Sequence, residues 1–126
     1  MTDDRRMPPE LEPPALADGA LAVRLFMDPG LFWFRGHFPV QPIVPGVAQI
    51  AWALCYAKRL LPGAELSEVE QIKFTRPILP GETLRLEVSA KETEGGARVR
   101  FSYEAETASG AVSCSKGKIL LRRSAP

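Results

Sequence analysis

The stretch from Val47 to Leu61 constrains the fold most. It is helical in pattern and apolar on nearly every face, with Gln49, Lys58 and Arg59 as its polar residues and Cys55 and Tyr56 intermediate. Pro62-Gly63 closes it. A helix apolar all round cannot face water on any broad side, so it must be packed from several directions. Lys58 and Arg59 fall in the last turns, where they complement the negative end of the helix dipole. The rest of the chain has to supply the enclosure.

Strand patterns do so. Ala20 to Met27 alternates, with Leu21, Val23 and Leu25 on one side, and Asp28-Pro29-Gly30 ends it in a turn. Leu31 to Arg35 is aromatic-rich and reads as extended. After the helix, Glu68 to Phe74 is a strand, broken by Thr75 to Gly81. Thr83 to Lys91 places Leu84, Leu86 and Val88 on one face, and Glu94-Gly95-Gly96 turns the chain. Arg98 to Glu106 turns Val99, Phe101, Tyr103 and Ala105 inward, and Ser109-Gly110 makes the next turn. Ala111 to Arg122 starts with Val112 and Cys114 inward and then changes phase to Ile119 and Leu121. Gly117 sits at that change and predicts a bulge. Two early extended segments, one buried helix and a meander of long strands make an α+β domain, most simply an antiparallel sheet wrapped around the helix.

Residues 1–19 carry Pro8, Pro9, Pro13 and Pro14 among charges, and are expected to form a poorly ordered tail with no means of burying itself. Residues 20–122 form the domain, and 123–126 a short C-terminal tail. The 126 residues carry a net charge of +1, with basic and acidic side chains interspersed. Such a balance gives no general attraction to nucleic acid or to a membrane. No apolar run reaches the roughly 20 residues of a membrane span. The N-terminus lacks the apolar centre of a signal peptide, so a cytoplasmic protein is expected. Cys55 and Cys114 match no metal spacing, and are expected to be buried thiols in a reducing compartment. No metal and no resident cofactor are expected.

The sequence around the helix start carries the chemistry. Arg35-Gly36-His37-Phe38-Pro39 contains the chain's one histidine, and Pro42-Ile43-Val44-Pro45-Gly46-Val47 leads into the helix. An imidazole near a helix N-terminus puts a base beside a site that favours negative charge. Those are two of the three parts needed for proton chemistry next to a carbonyl.

The run GHFPVQPIVPGV resembles the active-site segment of the hotdog-fold 3-hydroxyacyl-acyl-carrier-protein dehydratases, and Ile72-Lys73-Phe74-Thr75-Arg76-Pro77-Ile78-Leu79-Pro80-Gly81-Glu82 resembles a second stretch of the same family. Ala48-Gln49-Ile50-Ala51-Trp52-Ala53 looks still more like a subgroup found in aryl polyene pigment clusters. The resemblance covers roughly residues 20 to 122. It implies a hotdog fold, a curved sheet around one long helix. It also implies a dimer joined edge to edge, with two active sites at the interface. Each would lie in a tunnel for an acyl chain carried on the phosphopantetheine of an acyl carrier protein or of coenzyme A.

On that resemblance, His37 is the base that removes the C2 proton and the N–H of Gly46 donates to the thioester oxygen. Pro39, Pro42 and Pro45 would fix the loop between them. Phe38, Pro45, Val47, Ala51 and Cys55 would line the substrate site, and Lys73 and Arg76 would meet the carrier protein or its phosphate. Arg122 and Arg123 are further candidates for that contact. Trp33, Phe34, Phe38 and Trp52 are core or tunnel lining.

One departure matters. The family places a Glu or Asp, contributed by the partner subunit, fourteen residues after the histidine; here that position is Ala51. One turn further on, where many relatives have Gln, stands Cys55. Gln49 lies about 200° away around the helix and cannot stand in for the carboxylate. Three readings remain open. His37 acts as both base and acid, a paralogous subunit supplies the carboxylate in a heterodimer, or the site binds or hydrolyses acyl thioesters without dehydrating them.

Overall fold

The computed structural model describes residues 6–34 and 43–123. Six strands form one antiparallel sheet around one long helix. In chain order the elements are β1 (Ala15–Ala17), β2 (Ala20–Phe26), a 3-10 turn (Phe32–Phe34), α1 (Gly46–Leu60), β3 (Ala64–Phe74), β4 (Thr83–Thr93), β5 (Gly96–Thr107) and β6 (Gly110–Arg123). The sheet order is β1-β2-β4-β5-β6-β3. This is the expected curved sheet around a single central helix.

The alternating patterns set which face meets the helix. Leu21, Val23 and Leu25 of β2, Leu84, Leu86 and Val88 of β4, and Val99, Phe101, Tyr103 and Ala105 of β5 are all buried in one core. From the helix, Ala48, Trp52, Ala53, Tyr56 and Ala57 enter the same core. The small residues among them let α1 approach β4 closely, while Trp52 and Tyr56 fill the space to either side.

The predicted turns form for their expected reasons. Asp28 Oδ1 accepts from the Gly30 N–H at 2.8 Å, an Asx turn. Gly95 in the β4–β5 turn has φ +81°, a conformation that favours glycine.

Several expectations change. Leu31 to Arg35 is not extended: Phe32–Phe34 is a 3-10 turn, and Phe34 is buried, while Arg35 lies outside the described residues. β3 begins four residues earlier than the alternation showed, at Ala64. As an edge strand with register shifts at Leu66/Glu68 and Val69/Gln71, it carries no clean period. The phase change in β6 is not at Gly117. It lies at Cys114 and Ser115, consecutive and both fully buried, where the pairing with β5 slips between Tyr103 and Glu104. Val112 is accordingly 38% exposed rather than inward. Gly117 stays in register opposite Phe101 and Ile72, and a Cβ there would sit 2.6–2.8 Å from atoms of those side chains. It is glycine because two neighbours fold over it.

The expected N-terminal tail is not free over its described part. Leu11 N–H donates to Arg24 C=O, Phe26 N–H to Pro9 C=O, and β1 pairs with β2. Both tryptophan indoles, Trp33 and Trp52, donate to the Arg6 carbonyl at 2.7 and 2.8 Å. The Tyr56 hydroxyl donates to Glu10 at 2.5 Å. Pro8 is buried. Composition missed this strap because its anchors are backbone groups and one carboxylate, not apolar side chains.

Candidate active site

The helix opens without a side-chain cap. Pro45 is the N-cap, in extended conformation (φ −68°, ψ 155°), and offers no polar side chain. Its carbonyl accepts from Ala48 N–H at 3.0 Å and Gln49 N–H at 3.3 Å, so the N–H groups of Gly46 and Val47 precede the first helical bond. Amides with no partner among the described residues and the positive end of the helix dipole fall together there. Phe74, the last residue of β3, lies over this point: a Cβ on Gly46 would meet Phe74 Cζ at 2.8 Å. The lack of a side chain at Gly46 thus leaves room for an aromatic ring directly over the helix start.

The two sequence motifs meet in space. Val44 N–H donates to Ile78 C=O at 2.9 Å, and both residues are buried. The turn holding Ile78 is fixed by Arg76 and Glu82. Arg76 Nη2 lies 2.5 Å from Glu82 Oε2, Nη1 lies 3.0 Å from Oε1, and Leu79 N–H donates to Oε1 at 2.8 Å. Burial alone would push the Glu82 carboxyl up, but the Arg76 and Leu79 bonds together hold it below its ordinary value. Arg76, expected at a carrier phosphate, is therefore engaged within its own loop. Lys73 is exposed on β3 and lines the opposite face of the sheet from α1.

Gln49 is the buried polar centre of the region, 4% exposed. Ser115 Oγ donates to its Oε1 at 2.6 Å, its Nε2 donates to Val44 C=O at 3.2 Å, and Tyr103 donates to its main-chain carbonyl at 2.6 Å. One residue thus ties the pre-helix loop, the helix and the β5–β6 pair together. Burial pushes the Tyr103 hydroxyl well above its ordinary value, so it stays a donor. Sequence reading placed Gln49 away from the Ala51 face and saw no role for it; the paired serine at the β6 slip was its missing signal. Phe74 was also missed as a site residue, although it stands inside the second motif.

The expected substrate face is open. Val47, Ala51 and Cys55, one turn apart along α1, are all exposed, Val47 by 66%. The helix expected to be packed on several sides is buried on its sheet-facing side. Cys55, expected as a buried thiol, is exposed. Cys114 is buried as expected, and burial raises its thiol despite the opposing pull of Arg76. Trp52 and Phe34 are core, and Trp33 packs partly buried against it. His37 and Phe38, with Gly36, Pro39 and Pro42, lie outside the described residues. Among the described residues no cluster of His, Cys, Asp and Glu could hold a metal ion, and no helix is long and apolar enough to cross a membrane.

The curved six-stranded antiparallel sheet around one central helix defines a hotdog protein. The sequence profile of the ApeI-like family, described as ApeI dehydratase, matches residues 15–118, and the chain belongs to that family. It is 34% identical over 96 residues to the 3-hydroxyacyl-[acyl-carrier-protein] dehydratase FabZ of Clostridium perfringens, covering 70% of this chain and 67% of that one. Among solved structures it resembles the dehydratase heterocomplex ApeI:P from Xenorhabdus doucetiae. That match has a TM-score of 0.81 and 42% identity, over 92% of this chain and 98% of the other. An uncharacterised protein from Erwinia carotovora is similar at 39% identity, with a TM-score of 0.80, over 93% and 97% of the two chains.

Proposed function

We propose that this chain is the base- and oxyanion-donating half of a dehydratase acting on 3-hydroxyacyl thioesters of fatty-acyl or aryl-polyene type, presented by an acyl carrier protein. His37 takes the C2 proton. The thioester oxygen gains negative charge as that proton leaves, and the Gly46 N–H stabilises it at the positive end of α1. The C3 hydroxyl leaves with a proton as water, which gives the 2-enoyl thioester. Removing such an oxyanion donor typically costs on the order of 100- to 1000-fold in rate.

The observation that carries this reading is the face Val47, Ala51, Cys55, exposed beside that helix start and without a carboxylate. Two copies of this chain would bring two alanines to the acid position. A missing general acid typically costs about 100- to 10,000-fold. A paralogous subunit with Glu or Asp at the matching helix position would complete one site per heterodimer. The similarity to one chain of a dehydratase heterocomplex supports that pairing.

The test is to assay 2-enoyl formation from a 3-hydroxyacyl thioester by this chain alone, by a carboxylate-bearing paralogue alone and by the two together. The mixture is expected to exceed the sum of its parts. His37→Ala in this chain is expected to abolish the gain, and Ala51→Glu to raise the activity of this chain alone. Full turnover with His37→Ala removes the base from the mechanism. Release of free thiol without an enoyl product marks a thioesterase instead.

A further inference from the structure

On the face of the sheet turned away from α1, a groove of about 760 Å3 crosses from β1 to β3. Its two ends differ in chemistry. Toward β5, β6 and β3 it is lined by Arg100, Lys116, Lys118 and Lys73. Toward β1 and β2 it is lined by Ala15, Ala17, Ala20 and Ala22, which pair as Ala15 with Ala22 and Ala17 with Ala20. Glu87, the acidic residue of the lining, is engaged by Arg85 at 2.9 Å.

The strand register sets like charges against each other. Lys73 stands directly opposite Lys116, and Arg100 directly opposite Lys118. Directly opposed side chains on antiparallel strands have Cβ atoms about 4.5–5.5 Å apart, and like charges there are destabilising. Elsewhere opposed cations are relieved by carboxylates: Arg24 and Arg85, which face each other, each hold one, and so does Arg98, which faces Lys91. Among the described residues, none of the four groove cations does. In a chain of net charge +1, this is a local concentration of unpaired positive charge.

The cluster is compact. Same-face neighbours along a strand are about 6.6 Å apart and adjacent strands about 4.8 Å. That spacing suits a phosphate or diphosphate held from several sides better than a protein helix about 10 Å across. From β5 to β1 is three strand spacings, about 14 Å, and the row leading from Arg100 is Ser89 of β4, Ala20 of β2 and Ala17 of β1. We propose that the groove binds a phosphorylated amphiphile. Its phosphate lies among Lys73, Arg100, Lys116 and Lys118, and its short apolar chain runs past Ser89 over Ala20 and Ala17. The sheet separates this groove from Gly46, so the proposal stands independently of the dehydratase reading.

The test is calorimetric titration of the whole chain with three probes: dodecyl phosphate below its micelle concentration, inorganic pyrophosphate, and uncharged dodecyl maltoside. Dodecyl phosphate is expected to bind saturably, and about tenfold or more tighter than either other probe, because it alone engages both ends. Lys116→Ser with Lys118→Ser is expected to weaken it about tenfold or more, and Ala17→Asn with Ala20→Asn to weaken it while leaving pyrophosphate unchanged. Lys118→Ser alone is expected to raise the melting temperature of the free protein, by relieving the opposition to Arg100, and Arg100→Gln serves as a second variant if the double substitution fails to fold. Absence of saturable dodecyl phosphate binding overturns the proposal. So does binding that the double variant or Arg100→Gln retains, or pyrophosphate or dodecyl maltoside binding as tight as that of dodecyl phosphate.

Discussion

At the scale of the residue, two glycines show how the same absence of a side chain serves different ends. Gly117 lies beneath Ile72 and Phe101, whose atoms would come within 2.6–2.8 Å of an added methyl. Those side chains are held in the packed sheet, so Gly117→Ala is expected to cost about 1–3 kcal/mol, read by urea denaturation. Gly46 meets the end of one ring, Phe74, which is 53% exposed and free to turn aside. Gly46→Ala is therefore expected to cost less stability than Gly117→Ala while lowering thioester turnover, since the shifted ring and the new methyl crowd the helix start. Equal losses of stability in the two variants would show that Phe74 cannot yield.

Glu82 belongs to the same scale. Its folded carboxyl lies below its ordinary value of 4.5, so near that pH the unfolded chain binds more protons than the folded one. The contribution is complete above about pH 4.5 and is lost as the pH falls through the folded value. Glu82→Gln is expected to flatten the acid side of the stability–pH curve below about pH 5 and to leave its slope at neutral pH unchanged. Denaturation midpoints across that range check it, and an unchanged acid limb would mean that the Arg76 pair adds nothing to folding.

At the scale of the element, the strap over residues 6–12 is the part composition misread. It gives the indoles of Trp33 and Trp52 their shared acceptor and ties Tyr56 to Glu10. Burial and the Glu10 hydrogen bond both push the Tyr56 phenol above its ordinary value, so it remains a donor throughout the neutral range. Deleting residues 1–12 leaves three N–H groups, the two indoles and the Phe26 main chain, and one hydroxyl without their partners, at about 1–3 kcal/mol for each that stays buried. The expected outcome is a lower melting temperature and a red shift of fluorescence from the chain's two tryptophans. An unshifted spectrum would place the indoles' protection elsewhere. The helix and the β4–β5 hairpin, by contrast, lie where their patterns put them, because an apolar helix and clean alternation each have one way to bury their faces.

At the scale of the whole molecule, the open helix face and the edge of β3 lie on the same chain. Leu66, Val69 and Phe74 are exposed along β3 while Val47, Ala51 and Cys55 are exposed along α1. If that face is where a second subunit seats, Val47→Lys is expected to abolish association in sedimentation experiments and leave the circular dichroism spectrum of the folded chain intact. Association that survives the lysine would move the interface off this helix face.

Much of this protein was legible in its sequence. The enclosed helix, the meander around it, the turn residues and the glycine at the helix start follow from local rules of period and conformation, which act within a few residues. The pairing of Val44 with Ile78, the Gln49–Ser115 bond, the ring of Phe74 over Gly46 and the opposed lysines of the outer groove were decided only by the tertiary structure. Each joins residues distant in sequence, and a register slip such as that at Cys114 changes which side chains meet without leaving any mark on local periodicity.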